Sequence, residues 1–381
     1  MTNNKDKKVL NVPNLRFPNF FEEWEEHYLS EYLEFKNGLN PNAEKFGRGI
    51  KFISVMDILS NNVITYDCIR ASVEITAEEL KSFIVKKGDI LFQRSSETLE
   101  DVGRANVYID DKPAVFGGFV IRGKKKTEYN PLFFKYLLAT PYARRKIIPM
   151  GAGAQHFNIG QEGLSKVKLY FPILQEQHKI ASLLQLIDER IATQNKIIEK
   201  LQSLIKGIAQ NIVHRNKPNV RISQCLECSS STLQESDVLE CGAYPVYGAN
   251  GVVGFLDNYN TSNEAIYIIK DGSGVGAVSY VAGKCSATGT LNILQAKKGF
   301  SLRYLYYLLN IFNFEPYKTG MAIPHIYFKD YGKAQIFCPS YSEQLKYAKF
   351  LATIDDKLLT EQNVLINLSL LKQYLLRQMF I

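Results

Sequence analysis

The chain has 381 residues, 46% hydrophobic and 12% aromatic, which is enough for two or three folded domains and too apolar for a disordered chain. It contains no run of about 18 apolar residues, and the polar residues 1–8 lead into no apolar signal segment, so we expect a cytoplasmic protein. The formal net charge of +8 is compatible with a polyanionic partner but does not prove one.

Two passages of the sequence repeat one another. Residues 171–188 align with residues 337–355, and from Pro172 and Pro339 onward the offset stays at 167 without a gap. Residues 29–35 align with residues 222–228 at an offset of 193, so the globular part of the first copy holds roughly 26 more residues. The chain therefore carries two copies of one unit, which predicts two related but non-identical sites.

Each copy begins with short predicted strands separated by turns and closes with a helix. The predicted strands are residues 49–55, 88–92 and 114–122 in the first copy, and residues 244–248, 265–269 and 291–294 in the second. Helices are predicted from Pro131 to Arg145 and from Leu302 to Leu309. Strands followed by a helix favour an α+β class over alternating α/β.

A heptad pattern follows Pro172 and recurs after Pro339, interrupted by Gln194 in the first copy and by Glu361 and Lys372 in the second. The apolar seam consists of Ile180, Leu184, Ile187, Ile191, Ile198, Leu201, Ile205, Ile208 and Ile212, and then of Tyr347, Leu351, Ile354, Leu358, Leu365, Leu368, Leu375 and Met379. A helix over residues 176–214 is about 58 Å long, which is too long to be buried in one small domain.

We therefore predict that the two long helices pair as a coiled coil, and an approximate twofold axis between the copies would make them antiparallel. Two unrelated amphipathic helices, each lying on its own domain, are the alternative. The predicted architecture is α+β, with two globular domains joined by the helix pair. Its boundaries are residues 1–174 for the first globular domain, 175–216 for the central helix, 217–341 for the second globular domain and 342–381 for the C-terminal helix.

A search for catalytic motifs returns little. The glycine-rich residues 272–276 superficially resemble a cofactor-binding loop, but a strand-like stretch follows them instead of a helix, so we interpret them as a turn. Glu34 and Lys36 match half of a common nuclease site, but no suitable Pro-Asp precedes them. The Asn/Asp-Pro-Pro-aromatic motif of amino-methylating DNA enzymes is absent. We predict no catalytic residue in this chain.

Metal-binding patterns are equally scarce. The five histidines show no metal-ligand spacing, and the six cysteines form no regular framework, as expected for reduced thiols. Cys225 and Cys228 make the only C-x-x-C pair, but they align with Tyr32 and Phe35, which favours a buried apolar face over a zinc site. We predict neither a metal nor a cofactor.

The loops of both copies combine glycine with basic and amide side chains. Arginine and lysine can donate to guanine edges and phosphates, and asparagine and glutamine can pair with adenine. The candidate DNA-contacting residues are Arg48, Lys51, Arg94, Arg104, Gln155, His156 and Asn158 in the first copy, and Tyr247, Asn250, Lys270, Lys284, Thr288, Thr290 and His325 in the second. Ordinary solvated loops are the alternative for each. Two lysine tracts, residues 124–126 and 297–298, either face phosphate or form a solvated edge.

Four motifs carry a family resemblance. They are Pro172-Ile-Leu-Gln-Glu-Gln177 with Ile180, Leu184 and Ile187-Asp188 behind it, its weaker version around Pro339 and Glu343-Gln344, Tyr244-Pro-Val-Tyr-Gly-Ala-Asn-Gly251, and Gly88-Asp-Ile-Leu91. Together they resemble the specificity subunit of type I restriction-modification systems over nearly the whole chain. The resemblance implies a non-catalytic DNA-reading subunit whose two target recognition domains each recognise one half of a bipartite, asymmetric site.

The resemblance also implies partners. The coiled coil would set the separation of the half-sites and dock two methyltransferase subunits that modify adenine, and restriction subunits would join the assembly. The positions expected in the coiled coil and in docking are Glu176, Gln177, Ile180, Leu184, Ile187, Ile191, Gln194, Ile198, Leu201, Glu343, Gln344, Leu351, Ile354, Leu358, Glu361, Leu365 and Leu368. Alternatives are a scaffold whose two domains bind protein or sugar, or a single-chain restriction or methylation enzyme.

The two copies depart from the family pattern in different places. The Tyr-Pro-Val-Tyr-Gly motif occurs only in the second copy, so the two half-sites should differ in sequence. Cys338 and Tyr341-Ser342 make the second proline turn less typical, so the two long helices need not offer equal docking surfaces.

Overall fold

The computed structural model describes residues 10–60 and 62–381, so the polar residues 1–8 and the start of the first predicted domain lie outside the described residues. The chain divides into two compact units. The first unit consists of Met1–Ala192 and Ile366–Ile381, and the second of Thr193–Leu365. Each unit therefore combines one globular part with portions of both long helices.

The first unit is an α+β structure of short elements. Its strands are Glu25–Tyr28, Leu33–Asn37, Phe46–Ile53, Ser72–Val73, Ile90–Gln93, Ser95–Ser96, Ala105–Val107, Val115–Phe116, Val120–Lys125, Phe157–Asn158 and Lys168–Phe171. Its helices, besides the long ones, are Leu29–Tyr32, Val55–Ile58, Ala77–Phe83, Pro131–Ala139, Pro141–Ile147 and Gln161–Ser165.

The second unit repeats this arrangement with fewer elements. Its strands are Val220–Arg221, Leu226–Ser230, Tyr244–Gly248, Gly251–Leu256, Ala265–Ile269, Val278–Val281, Ser286–Ala287, Leu291–Ala296 and Gln335–Ile336. Its helices, besides the long ones, are Ile222–Cys225, Leu302–Leu309 and Phe328–Tyr331.

The two units share one sheet topology. Each contains a four-stranded antiparallel sheet, with Ile90–Gln93 next to Val120–Lys125 at the centre in the first unit and Ala265–Ile269 next to Leu291–Ala296 in the second. Each also contains a three-stranded sheet whose central strand has one antiparallel and one parallel neighbour. The predicted α+β class with an internal repeat is confirmed.

The additional residues of the first copy lie between two equivalent strands. The connection from Phe46–Ile53 to Ile90–Gln93 contains the helices Val55–Ile58 and Ala77–Phe83, whereas the second unit passes from Tyr244–Gly248 to its next sheet through a single hairpin strand. The two units therefore differ most beside their three-stranded sheets.

Two predicted elements of the first unit are interrupted. The helix expected from Pro131 to Arg145 is two helices, because the extended backbone of Thr140 ends Pro131–Ala139 and its hydroxyl caps the helix that starts at Pro141. The strand expected at residues 114–122 is broken by a turn, in which the Val120 N–H bonds to the Gly117 carbonyl.

The long helices are Leu174–His214 and Tyr341–Gln378, and each begins after a proline turn. One glutamine anchors each start. The Gln177 amide accepts from the Asn130 N–H at 3.0 Å and donates to the Pro172 carbonyl at 3.0 Å. Gln344 makes the equivalent bonds to Ser301 and Pro339, both at 2.9 Å. These bonds fasten each long helix to the N-terminus of its unit's closing helix.

The long helices pair antiparallel. In the first unit, Leu184 near the start of the first long helix shares a core with Met379 at the end of the second. In the second unit, Ile212 at the end of the first long helix shares a core with Ala348 at the start of the second. The heptad seam thus forms the coiled coil that its spacing predicts, and the helices run antiparallel as the internal repeat predicts.

An N-terminal segment covers the first core. The Leu15 N–H bonds to the Gln378 carbonyl at 2.9 Å, and the Trp24 indole packs edge-on against Phe133 and Phe380. No helix among the described residues is long and apolar enough to cross a membrane.

Candidate nucleic-acid interface

The first unit brings three of the predicted loop residues together. Ser95–Ser96 pairs antiparallel with Phe157–Asn158, and the Ile159 N–H bonds to the Arg94 carbonyl at 2.9 Å. Arg94, His156 and Asn158 therefore lie on adjoining loops. The Asn158 amide accepts from the Ser95 hydroxyl and donates to the His156 carbonyl at 3.3 Å, so bonds within the protein hold this side chain.

A neighbouring exposed apolar surface was not predicted from the sequence. The Arg94 guanidinium donates to the Gly118 carbonyl at 3.2 Å, and the adjacent Phe119 is 67% exposed. Phe119 and the 77% exposed Met56 border a cavity of about 370 Å³ that Asn40 also lines. A Cβ at position 118 would stand 1.8 Å from the Asn40 amide oxygen, so a larger residue there would displace the Asn40 side chain.

The other cations of the first unit are less available. Arg48 stands exposed between Gly47 and Gly49, which both have positive φ, and it pairs with Glu74 at 2.7 Å. The Lys51 ammonium is bonded to the Ile69 carbonyl at 2.6 Å. Arg104 pairs with Asp101 and lines a different cavity, so it does not join the Arg94 group; Gln155 is exposed on the turn before Phe157–Asn158.

The second unit assembles its residues through a chain of backbone bonds. The Thr288 N–H bonds to the Tyr247 carbonyl at 2.8 Å, and the Lys270 N–H bonds to the Thr290 carbonyl at 2.9 Å. An isolated bridge joins Asp271 to His325, which places the His325 loop beside Lys270. Burial raises the pKa of Tyr247, so its hydroxyl remains a donor at neutral pH.

Two predicted positions of the second unit do not belong to this group. Thr288 is 1% exposed and its hydroxyl is engaged with Thr290, so the expectation that it faces DNA is wrong. Lys284 lies over the rings of Tyr244 and Tyr259, at 5.8 and 4.9 Å from their centroids, on another part of the unit. Asn250 is exposed at the tip of the hairpin between Tyr244–Gly248 and Gly251–Leu256.

A loop tip with exposed apolar side chains lies beside His325, and this exposure was also not predicted from the sequence. Met321 is fully exposed and Ile323 is 65% exposed, on a loop closed by reciprocal backbone bonds between Thr319 and His325. Both units therefore present exposed apolar side chains next to their polar recognition candidates.

The lysine tracts make contacts within the protein. The Lys126 ammonium donates to the Ser30 carbonyl at 2.8 Å, and Lys297 makes the equivalent bond to Ser223 at 3.0 Å. Lys125 pairs with Glu128. These side chains fasten strand ends to the protein, so neither lysine tract is simply a solvated edge.

The two copies treat the first glutamate of their long helices differently. Glu176 is buried and accepts two hydrogen bonds from the Arg16 guanidinium, both at 2.7 Å. Glu343 is exposed. Its carboxylate accepts hydrogen bonds from the N–H and the hydroxyl of Ser340, the residue that precedes the helix. The starts of the two long helices therefore differ in structure at this position.

The seam residues of the long helices face inward, and other apolar side chains remain exposed. Ile180, Leu184, Leu351 and Leu358 are buried. The exposed apolar residues are Leu174, Leu186 and Leu204 on the first long helix, and Tyr341, Leu345, Phe350, Leu359, Ile366, Leu370, Leu371 and Tyr374 on the second. The second long helix therefore carries apolar surface that the first does not match.

The glycine-rich residues 272–276 and the buried Cys225 have the local structures that the sequence predicts for them. Gly272, Gly274 and Gly276 have positive φ and form a turn that leads into the strand Val278–Val281. Cys225 is buried with its sulfur 3.9 Å from that of Cys338, and at the equivalent positions of the first unit the rings of Tyr32 and Phe171 pack with a tilt of 35°. The cysteine thus fills an interior site, as its alignment with an aromatic residue predicts.

Fold and site together define a duplicated α+β protein whose two loop-bearing units are built on one pair of long helices. The chain belongs to the type I restriction modification DNA specificity domain family, whose model matches residues 21–203 and again residues 219–368.

Individual relatives agree with this family. A putative type I restriction enzyme specificity subunit of Methanocaldococcus jannaschii is 29% identical over 203 residues, covering 50% of this chain and 45% of the relative. A putative type I specificity subunit of Mycoplasma genitalium is 24% identical over 272 residues, 65% and 70% of the two chains. The matches span less than half of the length of the first four curated relatives.

The fold has also been solved. The crystal structure of the S subunit of a type I restriction-modification system from M. genitalium matches with a TM-score of 0.67 at 18% identity, covering 97% of this chain and 99% of that one. At this identity the similarity concerns the fold.

Proposed function

We propose that this chain is the sequence-specific DNA-binding subunit of a type I restriction-modification complex. The observation that carries the proposal is the duplication of one topology, each copy of which presents its own loop group of basic, amide and apolar side chains. Each unit reads one half of a bipartite DNA site through base-edge contacts in the major groove.

The two halves of the site differ in sequence. The first unit offers Arg94, His156 and Asn158, and the second offers Tyr247, Lys270 and His325. These two sets present different hydrogen-bond donors and acceptors. The inserted helices of the first unit add Met56 and its neighbours to that surface. Cationic side chains around both groups contact phosphates, so affinity falls as salt rises.

The paired long helices set the gap between the half-sites and dock the partners. Two methyltransferase subunits that modify adenine bind the exposed apolar side chains of the helices, and restriction subunits join the complex. The chain itself is non-catalytic and acts in the cytoplasm. Support comes from its family and from the exposed apolar residues Leu345, Phe350 and Leu359 on the second long helix.

Mapping methylated adenines in a genome tests this proposal. Cells that co-express an adenine methyltransferase subunit are compared with and without the chain. A split motif that is methylated only when the chain is present supports the proposal. Methylation by the purified chain alone contradicts the non-catalytic role, and an unchanged methylation pattern favours a scaffold that binds something other than DNA.

A further inference from the structure

A cavity of about 340 Å³ in the first unit has four cations among its lining residues. It lies among the helix Pro131–Ala139, the turn that carries Arg104 and the last turns of the second long helix. The charged lining groups are Arg104, Lys135, Arg144, Lys372 and one carboxylate, Glu100. Leu59 and Leu376 contribute an apolar wall.

The second unit contains the equivalent cavity with a different lining. This cavity of about 310 Å³ has Tyr306 at the position of Lys135, and Ile205 at the position of Lys372. Among the described residues its one lining cation is Lys206, which it combines with Asp355. The fold thus produces the cavity in both copies, and the concentration of positive charge belongs to the first unit.

Two of the cations are held close together. The ammonium groups of Lys135 and Lys372 each lie 5.8 Å from the centroid of the Tyr136 ring. Lys372 pairs with Asp188 at 2.5 Å, and the Tyr136 hydroxyl donates to the same carboxylate at 2.9 Å. Burial lowers the pKa of Lys135 to about 8; the Asp188 carboxylate opposes this shift and the Lys372 charge adds to it.

Arg144 is held rigidly at the other side of the cavity. One terminal nitrogen donates to the carbonyls of Glu100 and Val102 at 2.8 and 2.6 Å, and the other is buried with no acceptor among the described residues. Burial and the nearby Arg104 lower the pKa of Arg144 to about 10. Burial therefore disfavours the charged forms of Lys135 and Arg144, although carboxylates lie close to the cations of this cavity.

We propose that this cavity binds the phosphate group of a small phosphate ester of mononucleotide size. A phosphate offers several charged acceptor oxygens to clustered arginine and lysine donors. The apolar wall of Leu59 and Leu376 accommodates an organic group, and the volume falls within the range of small-molecule sites. The site is independent of the recognition loops, so its existence does not rest on the proposed DNA-reading function.

Calorimetric titration of the full chain tests the site, with inorganic phosphate and adenosine 5′-monophosphate as probes in phosphate-free buffer without DNA. We expect saturable binding of both. Lys135→Gln and Arg104→Gln should each weaken it about tenfold, because each removes a charged donor. Lys206→Gln, in the equivalent cavity of the second unit, is the matched control and should leave binding unchanged.

The side chain of Arg104 is 53% exposed, so Arg104→Gln remains informative if Lys135→Gln fails to fold. Tighter binding of the nucleotide than of phosphate identifies an ester as the ligand, and equal affinities identify the free anion. Proton uptake at pH 8, measured in buffers of different ionisation enthalpy, is expected because a bound anion raises the pKa of Lys135.

Two results would overturn the proposal. One is the absence of saturable binding of either probe at millimolar concentration. The other is an equal loss in Lys206→Gln and Lys135→Gln. If the small anions fail to bind while Lys135→Gln weakens binding of duplex DNA, the cavity belongs to the DNA-contacting surface instead. The titrations contain no DNA, so a negative result in the methylation test does not change what they measure. Each of the two proposals can therefore be contradicted without the other.

Discussion

Gln194 of the first long helix contacts Glu361 of the second. The two residues are 167 positions apart, which equals the offset between the two copies of the sequence. The Gln194 amide donates to the Glu361 carbonyl at 3.0 Å and to its carboxylate. The contact therefore joins two positions that the internal repeat of the sequence makes equivalent.

Replacement of Gln194 by alanine should destabilise the chain by about 1–3 kcal/mol, because it leaves polar groups of Glu361 buried with fewer partners. Denaturant unfolding measures the change. Asn195→Ala, at the exposed neighbouring position, is the control and should shift the free energy of unfolding by less than about 0.5 kcal/mol. Equal effects of the two variants would show that the contact does not contribute.

A second prediction concerns the first glutamate of each long helix. Glu176→Gln should cost about 3 kcal/mol, because the change leaves the Arg16 guanidinium, 13% exposed, beside a neutral amide in a buried site. Glu343→Gln makes the same chemical change at the exposed equivalent position and should cost less than about 1 kcal/mol. Chemical denaturation measures the free energy of unfolding of both variants. A larger loss for Glu343→Gln than for Glu176→Gln would contradict a stabilising ion pair between Arg16 and Glu176.

A third prediction follows from the lowered pKa of Lys135. Because that pKa is about 8 against a usual 10.5, the folded chain binds fewer protons than the unfolded chain between these values, and stability rises with pH across this window. The charged groups that face Lys135 are Asp188, Lys372 and those of the cavity, namely Glu100, Arg104 and Arg144.

Lys135→Met should therefore raise the free energy of unfolding by about 1–3 kcal/mol at pH 7, because it removes a buried charge. The gain should shrink as pH rises from 8 to 10.5, where the wild-type lysine is neutral in the folded chain. Urea unfolding in phosphate-free buffer across this range measures both. A gain that stays constant with pH would show that the ammonium is not destabilised.

Much of the fold follows from the sequence because its strongest signals are long and periodic. The heptads predict both long helices, and burial of Leu184 and Leu351 confirms the seam. The offset of the repeat also makes Gln194 and Glu361 equivalent, and these two residues contact each other. A heptad pattern of five repeats still predicts a coiled coil when one seam position holds a polar residue.

The site is less predictable, because short loops acquire their neighbours only through the fold. Thr288 resembles a surface hydroxyl in the sequence and is buried, whereas the apolar Phe119 and Met321 are exposed. The one available signal for Phe119 is the preceding Gly117-Gly118 turn. The pairing of Arg16 with Glu176 has no local signal at all, since the two residues are 160 positions apart.

A fourth prediction separates the two half-sites. The double variant Arg94→Ala and Asn158→Ala should relax recognition of one half-site, and Lys270→Ala with His325→Ala should relax the other. Each lost base contact is worth about 1–3 kcal/mol of discrimination. Methylated-adenine mapping with a co-expressed methyltransferase subunit distinguishes the halves. Relaxation of both halves by one double variant would contradict independent reading.

The proposed function requires that the paired long helices set the gap between two separately read half-sites. Insertion of one heptad after Gln194 together with one after Glu361 keeps the antiparallel seam in register and lengthens it by about 10 Å. Circular dichroism and thermal melting must first show that the variant folds. Genome-wide mapping of methylated adenines should then find both half-sites unchanged and the gap longer by about three base pairs. The original gap, or new half-site sequences at that gap, would contradict the account.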